Sequence, residues 1–357
     1  MHARDNKSSE RRRQNGFDKF VSLRALAEYL QLSPATVSVV VNDSPAAKAI
    51  PQRTKDRVLQ AARKLNYRPN FFARSLSLKR GFTVGVLTPE LSDGYHTLVM
   101  SGIGDHLISE GYFYFSAHHR HKPDLVEEYP RLLLSRGAEG ILAIDTSLVH
   151  KLPVPVVAVA GHRKIPGVTN VVLDHRRAAE LVLQHLYELG HRQIAFMRGQ
   201  PFSSDSDDRW QNIAAVARDL GIEIHPELII QLERDMASPE LGYPVIQQLL
   251  HRRKHFTALV AFNDMSAIGA IRALRDADLS VPEDVSIVGF DDILAAAYHT
   301  PRLTTVRQPL RDMGETAARL LIQRLQGKRV RSQIMVAPQL IVRETTAAPN
   351  KRSKLRF

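Results

Sequence analysis

The order of elements predicts two fold classes in one chain: a short all-α unit carrying a helix-turn-helix, then a longer α/β body of two lobes. Three observations support this. Apolar residues at helical spacing fill short segments of 21–69, strand-length apolar runs alternate with amphipathic stretches from Phe82 onward, and positive charge is concentrated in the first unit. Residues 1–80 hold 17 Lys and Arg against 6 Asp and Glu. Residues 81–350 carry a net −3 and the last seven, KRSKLRF, add +4, giving the overall +12. A basic unit on a near-neutral body points to a polyanion, either nucleic acid or an anionic membrane surface. Residues 1–20 and 348–357 are polar and unpatterned, and read as a flexible basic arm and a basic tail.

Length and composition narrow the class. The 357 residues are enough for two or three globular units. With no cysteine, disulfides, Cys-ligated zinc, Fe–S clusters and a Cys nucleophile are excluded. No apolar run approaches the roughly 20 residues of a membrane span, and residues 1–20 lack the apolar region of a secretory signal. The expectation is a cytoplasmic protein with no membrane association.

In the first unit, Ser22 caps a helix whose inner face is Leu23, Leu26, Ala27 and Leu30. After Gln31 and Leu32, Ser33 caps a second helix with Pro34 at its first position and Val37 with Val40 or Val41 inside. So tight a connection forces the two to cross, which is the helix-turn-helix arrangement. A third helix begins near Pro51, with Val58, Ala61, Ala62 and Leu65 at helical spacing. Asn70 then caps a two-turn segment, Phe71 to Leu78, too short to be stable unless packed against something.

The stretches VSLRALAEYLQLSPATVSVVVN (21–42), TKDRVLQAARKLNYRPN (54–70) and FFARSLS (71–77) resemble the lactose-repressor (LacI/GalR) family of bacterial transcriptional regulators. So do ELGHRQIAF (188–196), AFNDMSAIGAIRAL (261–274), VPEDVSIVGFDD (281–292), PRLTTVRQP (301–309) and VRETT (342–346). The resemblance covers about residues 21–347. It implies a headpiece at 21–69 that binds double-stranded DNA at a palindromic operator, with 34–42 as recognition helix. It also implies a hinge helix and linker at 70–81, where Asn70, Ala73 and Leu76 contact DNA and Leu76 wedges into the minor groove. Ser22, Ser33, Thr36, Ser38, Asn42, Thr54 and Tyr67 offer hydroxyl and amide groups to phosphates. The family pattern T-V-S-R-V-x-N departs here at Val39, which removes a bidentate guanine contact. Pro34, Ala35 and Val39 are left to make apolar contacts such as those to thymine methyls.

The body reads as strands FTVGVL (82–87), YFYFSA (112–117), GILAI (140–144), VVAVA (156–160), QIAFM (193–197), LIIQL (228–232), ALVAF (258–262) and VSIVGF (285–290), too many for one sheet. The resemblance makes 82–347 a periplasmic-binding-protein-like effector and dimerisation domain, with lobe 1 at about 82–173 and 306–337 and lobe 2 at about 174–305 and 338–347. In such sheets ligands bind beyond the carboxyl ends of strands, where Thr88, Pro89, His118, His119, Asp174, Asn263, Asp264, Asp291 and Asp292 lie. By resemblance Arg209, Asn263 and Asp291 hydrogen-bond a small-molecule effector, a sugar or nucleoside-like metabolite, and Tyr95, Leu173, Met265 and Gln308 form the wall. Asp264 and Asp292 are expected to cap the helices after them. Ala160 stands where some sugar-binding relatives have Asp, so no particular sugar is transferred.

The triplet His118, His119 and His121 invites a metal reading but reads better as a polar loop, and no cofactor is expected. SGIGDH (101–106) is half a dinucleotide fingerprint and reads as the start of a helix. G-x-S-x-G, H-E-x-x-H and a G-K-[ST] phosphate loop are all missing, which argues against an enzyme. The expectation is a homodimeric, nucleoid-associated repressor. The tail is too short to hold a tetramerisation segment. The alternative is a solute-binding protein that hands a sugar to a transporter, and it has no use for the basic headpiece.

Overall fold

In a computed structural model the described residues are 21–67, 80–91, 94–148, 150–161, 165–233 and 239–350. The chain divides into two compact units, Met1–Gly81 and Phe82–Phe357.

The first unit holds α1 (Leu23–Leu30), α2 (Pro34–Val41), a 3-10 turn (Pro45–Ala49) and α3 (Gln52–Lys64). Ser22 Oγ accepts from Ala25 N at 3.1 Å, and Ser33 Oγ accepts from Thr36 N at 3.1 Å, so each side chain satisfies a helix-start amide. Gln31 takes the left-handed conformation that ends α1 and turns the chain. Leu26, Ala27, Leu30, Val37, Val40, Val58, Ala61 and Ala62 form the core. Arg57 donates to the carbonyl of Leu30, tying α3 to the end of α1. The segment Asn70 to Leu78, and with it Asn70, Ala73 and Leu76, lies outside the described residues, as do the arm 1–20 and residues 351–357.

The second unit begins β1 (Thr83–Thr88), α4 (Gly94–Ser109), β2 (Phe113–His118), α5 (Pro123–Ser135), β3 (Gly140–Ile144), β4 (Val156–Val159) and β5 (Val168–Leu173). It continues through α6 (His175–Glu188), β6 (Ile194–Arg198), α7 (Ser204–Asp219), β7 (Ile229–Gln231), α8 (Pro239–His251), β8 (Ala258–Val260) and α9 (Asp264–Asp276). It closes with β9 (Ser286–Asp291), α10 (Leu294–Tyr298), β10 (Thr304–Arg307), α11 (Leu310–Leu325), β11 (Gln333–Val336) and β12 (Gln339–Ile341).

These strands form two six-stranded sheets, ordered β11-β5-β4-β3-β1-β2 and β12-β10-β9-β8-β6-β7. Pairing is parallel except between β10 and β12. The chain passes from one sheet to the other after β5, after β10 and after β11, so three connections join the lobes.

Several expectations need correction. Strands β5, β10, β11 and β12 are absent from the sequence reading. Their three to six residues mix Thr, Asn and Gln into the apolar pattern, and neighbouring strands rather than periodicity decide them. Val306 and Arg307 belong to the second sheet, paired with Phe290 and Asp291, so the second connection runs through Gln308 and Pro309 rather than starting at 306. SGIGDH lies inside α4, not at a helix start. A Cβ on Gly102 would overlap the Arg311 carbonyl, and one on Gly314 the Val99 carbonyl, so these glycines let α4 and α11 cross at backbone contact. Among the described residues no helix is long and apolar enough to cross a membrane.

Candidate functional site

In lobe 2, Arg209 projects from α7 and is buried, its guanidinium carbon 3.7 Å from the Phe290 ring centre and 4.5 Å from that of Phe262. Two aromatic faces hold the cation in one plane. Arg209 also donates to the Phe262 carbonyl and, at 3.1 Å, to Asp205 Oδ2 one turn earlier, and its Nε is buried without a protein partner. Asp205 Oδ1 lies 3.4 Å from His175 Nε2 at the start of α6.

Asp291 ends β9 with φ of 114°, a strained backbone for a residue with a side chain, and is buried. Its Oδ1 accepts from Gln308 Nε2 at 2.7 Å, on the connection between lobes, and Gln308 Oε1 is buried without a partner. Lobe 1 supplies Tyr95 from the first turn of α4. Its hydroxyl is buried without a partner and its pKa is pushed well above the usual phenol value, first by burial, then by Asp205, Asp145 and Asp291, with Arg209 opposing. Carboxylates of both lobes therefore act electrostatically on one tyrosine.

Of the predicted effector residues, Asp291 and Gln308 are hydrogen-bonded to each other, Arg209 stacks on Phe290 next to Asp291, and Tyr95 is buried in lobe 1 within the electrostatic reach of Arg209 and Asp291. Asn263 caps α9: its Oδ1 accepts from Ser266 N at 2.9 Å while Ser266 Oγ accepts from Asn263 N at 3.1 Å. One acceptor site of its side-chain oxygen is thus used by the helix, while its Nδ2 is the donor it can offer a ligand. Leu173 lines a cavity of about 280 Å³ with Asn170, Asp174, Asp208, Gln333 and His175, the last of which also reaches Asp205. Gln308 also borders one of about 410 Å³ with Leu98, Asp292, Arg307 and Arg311. Met265 is half-buried in the first turn of α9.

Neither aspartate expected to cap a helix does so. Asp264 is fully buried, accepting from Thr305 Oγ1 at 2.5 Å and Ile293 N at 2.9 Å, and burial pushes its pKa up to about 7. Asp292 pairs with Arg307 and Arg343, each at 2.6 Å, binding β9 to β10 and to the C-terminal segment.

Sequence reasoning missed Asp205, His175, Asp145, Phe262 and Phe290. The spacing of Asp205 and Arg209, four apart at a helix start, was a usable signal, whereas the aromatic sandwich needs tertiary proximity. His119 is buried and hydrogen-bonded at both ring nitrogens, with Nε2 2.9 Å from Thr146 Oγ1 and Nδ1 accepting from His121 N at 3.1 Å. Burial lowers its pKa to about 4. Neither nitrogen is available to a metal, and among the described residues no group of three or more possible ligands forms.

On the headpiece, Pro34 and Ala35 are exposed and Thr36, Ser38, Val39 and Asn42 half-buried. The Thr36 hydroxyl lies 2.8 Å from that of Ser33, and Asn42 Nδ2 donates to Ser38 O at 2.9 Å and to its Oγ at 3.2 Å. Thr54 is half-buried near the start of α3. Tyr67 packs against the headpiece core, which raises its pKa.

A helix-turn-helix in the same chain as a two-lobed body that buries polar groups defines the class of ligand-responsive DNA-binding regulators. The model for bacterial regulatory proteins of the lacI family matches residues 22–70, and that for a periplasmic binding protein-like domain matches 183–346. The chain is 33% identical over 336 residues to the HTH-type transcriptional regulator RegA of Clostridium saccharobutylicum, covering 91% of this chain and 99% of that one. Among solved structures it resembles the lac repressor dimer bound to operator and the anti-inducer ONPF, at 26% identity and TM-score 0.81 over 92% of this chain and 100% of that one. It also resembles a transcriptional regulator CelR–cellobiose complex, at 26% identity and TM-score 0.67 over 91% and 99%. The chain belongs to the lacI family of bacterial transcriptional regulators.

Proposed function

We propose that this chain is a homodimeric transcriptional repressor, acting in the cytoplasm, whose affinity for a palindromic operator is set by a sugar or related metabolite closed between the two lobes. It acts as a binding protein, not an enzyme. The observation that carries this is the burial of lobe 1's Tyr95 in the field of lobe 2's Asp205, Arg209 and Asp291. A ligand held between Tyr95 of lobe 1 and these groups of lobe 2 would bias the spacing of the lobes. Tyr95 Oη, Arg209 Nε and Gln308 Oε1 are buried polar atoms that a ligand with both donors and acceptors would satisfy. That a relative's structure holds cellobiose supports a sugar. Coupling between two such sites is typically about 1–3 kcal/mol, enough to switch operator occupancy. The separate reading as a transporter's solute-binding protein leaves the headpiece unused.

In this reading the second copy packs on exposed apolar residues of the body. Phe113 and Phe115 project from the edge strand β2 with ring centres 5.2 Å apart, and Leu294 and Tyr298 stand out on α10.

A thermal-shift screen of sugars, nucleosides and related metabolites tests the cleft. A ligand that stabilises the wild type should lose most of its shift with Arg209→Ala, and an unchanged shift would remove the cleft from the account. For the headpiece, Leu76→Ala should weaken operator binding and leave that shift intact. Asp291→Ala should do the reverse, and crossed outcomes would overturn the division of labour.

A further inference from the structure

The outer face of α2 has an unusual chemistry for a helix that enters a major groove. Positions 34, 35, 38, 39 and 42 form one stripe, opposite the buried Val37 and Val40. Asn42, the only amide on this stripe, is folded back onto Ser38, with its Oδ1 buried. Pro34, Ala35 and Val39 carry no side-chain donor or acceptor. Val39 is half-buried on this outer face, so part of its apolar surface stays open to a partner. Bidentate reading of guanine or adenine needs a fork of two polar groups, and no side chain on this stripe presents one. What remains is a methyl-bearing surface on a unit of strongly positive charge, which supplies grip on any duplex without sequence preference.

We infer that α2 selects its half-site by apolar contact with pyrimidine 5-methyl groups, with Val39 as the specificity-determining residue and Ala35 and Pro34 beside it. This rests on the reading of the chain as an operator-binding regulator. The partner is duplex DNA carrying thymine at the steps facing Val39, and 5-methylcytosine would serve in place of thymine because it presents the same methyl at the same ring position. Burial of one methyl group corresponds to about a fourfold change in affinity.

The test uses the full chain. Bound sequences are first selected from a random duplex. Dissociation constants are then measured at one fixed salt concentration for the selected site, for copies with each thymine replaced by uracil, and for copies with cytosine or 5-methylcytosine at those positions. The expected result is an affinity loss of about fourfold at one or two uracil positions per half-site, with smaller loss at the same positions for 5-methylcytosine than for cytosine. With Val39→Ala the thymine–uracil difference at those positions should vanish, and Val39→Thr, which keeps one γ-methyl, should retain part of it. Salt-dependent binding to random duplex monitors folding of each variant. If a sequence is selected but uracil is silent throughout the half-site, or if Val39→Ala leaves the discrimination intact, methyl reading is overturned while the regulator reading stands. If no sequence is selected at all, both fall.

Discussion

Tyr95 shows how a single residue can be set for a ligand at the expense of the resting fold. Its hydroxyl is buried, unpartnered and faced by carboxylates, and an unsatisfied buried polar group costs about 1–3 kcal/mol. Tyr95→Phe should therefore leave the ligand-free melting temperature unchanged or higher and weaken effector binding several-fold; a lower melting temperature would mean that the hydroxyl is structural. Asp264 makes the opposite kind of bond, entirely internal to lobe 2. Burial raises its pKa to about 7, so the folded chain holds a proton that the unfolded chain, titrating near 4, releases. Its contribution favours the fold most below pH 4 and is lost as pH rises through 7. The melting temperature of the wild type relative to Asp264→Asn should accordingly fall across pH 4 to 8, and a flat difference would contradict this. Tyr95 was named from the sequence as part of the effector wall, but the role of Asp264 was beyond sequence reasoning: D-D and N-D pairs at strand ends look alike in a chain, and only the fold shows Asn263 capping the helix while Asp264 turns to Thr305 and Ile293.

Elements that carry their own signals were legible. Ser22 and Ser33 before apolar-periodic runs, and Pro34 at a first helical position, specify α1 and α2 by local hydrogen bonding alone. Ser33→Ala should cost about 1 kcal/mol and lower the headpiece's melting transition, leaving that of the body in place. Gly102 and Gly314 are the contrasting case. Inside α4 and α11 they look like weak points in helices, yet each removes the Cβ that would strike the other helix's backbone. Gly102→Ala should destabilise the body by at least about 2 kcal/mol, read in thermal denaturation. The short strands β10 to β12 were illegible for a related reason, because each is held by a neighbour distant in sequence.

On the scale of the molecule, the fold interleaves its chain, with three connections between the sheets and each lobe built from separated segments. A ligand between such lobes acts on every connection at once. Phe113 and Phe115 are 58% and 39% exposed, and the proposed dimer interface is tested there. Phe113→Asp should shift sedimentation from dimer to monomer and reduce operator affinity by well over tenfold, since one headpiece then reads only half a palindrome. A dimer of unchanged strength would place the interface elsewhere.

The sequence by itself determined the partition of charge, the capped helices of the headpiece, the α/β alternation and the family, because each rests on neighbours within a few residues or on motifs in fixed order. Only the tertiary structure decided that Asp291 meets Gln308 at the connection between lobes while Asp264 is sealed in the core, and that Arg209 stacks on Phe290 and Phe262. Those outcomes depend on which distant segments the sheets bring within a few ångströms, and burial, not residue type, then sets what each side chain can do.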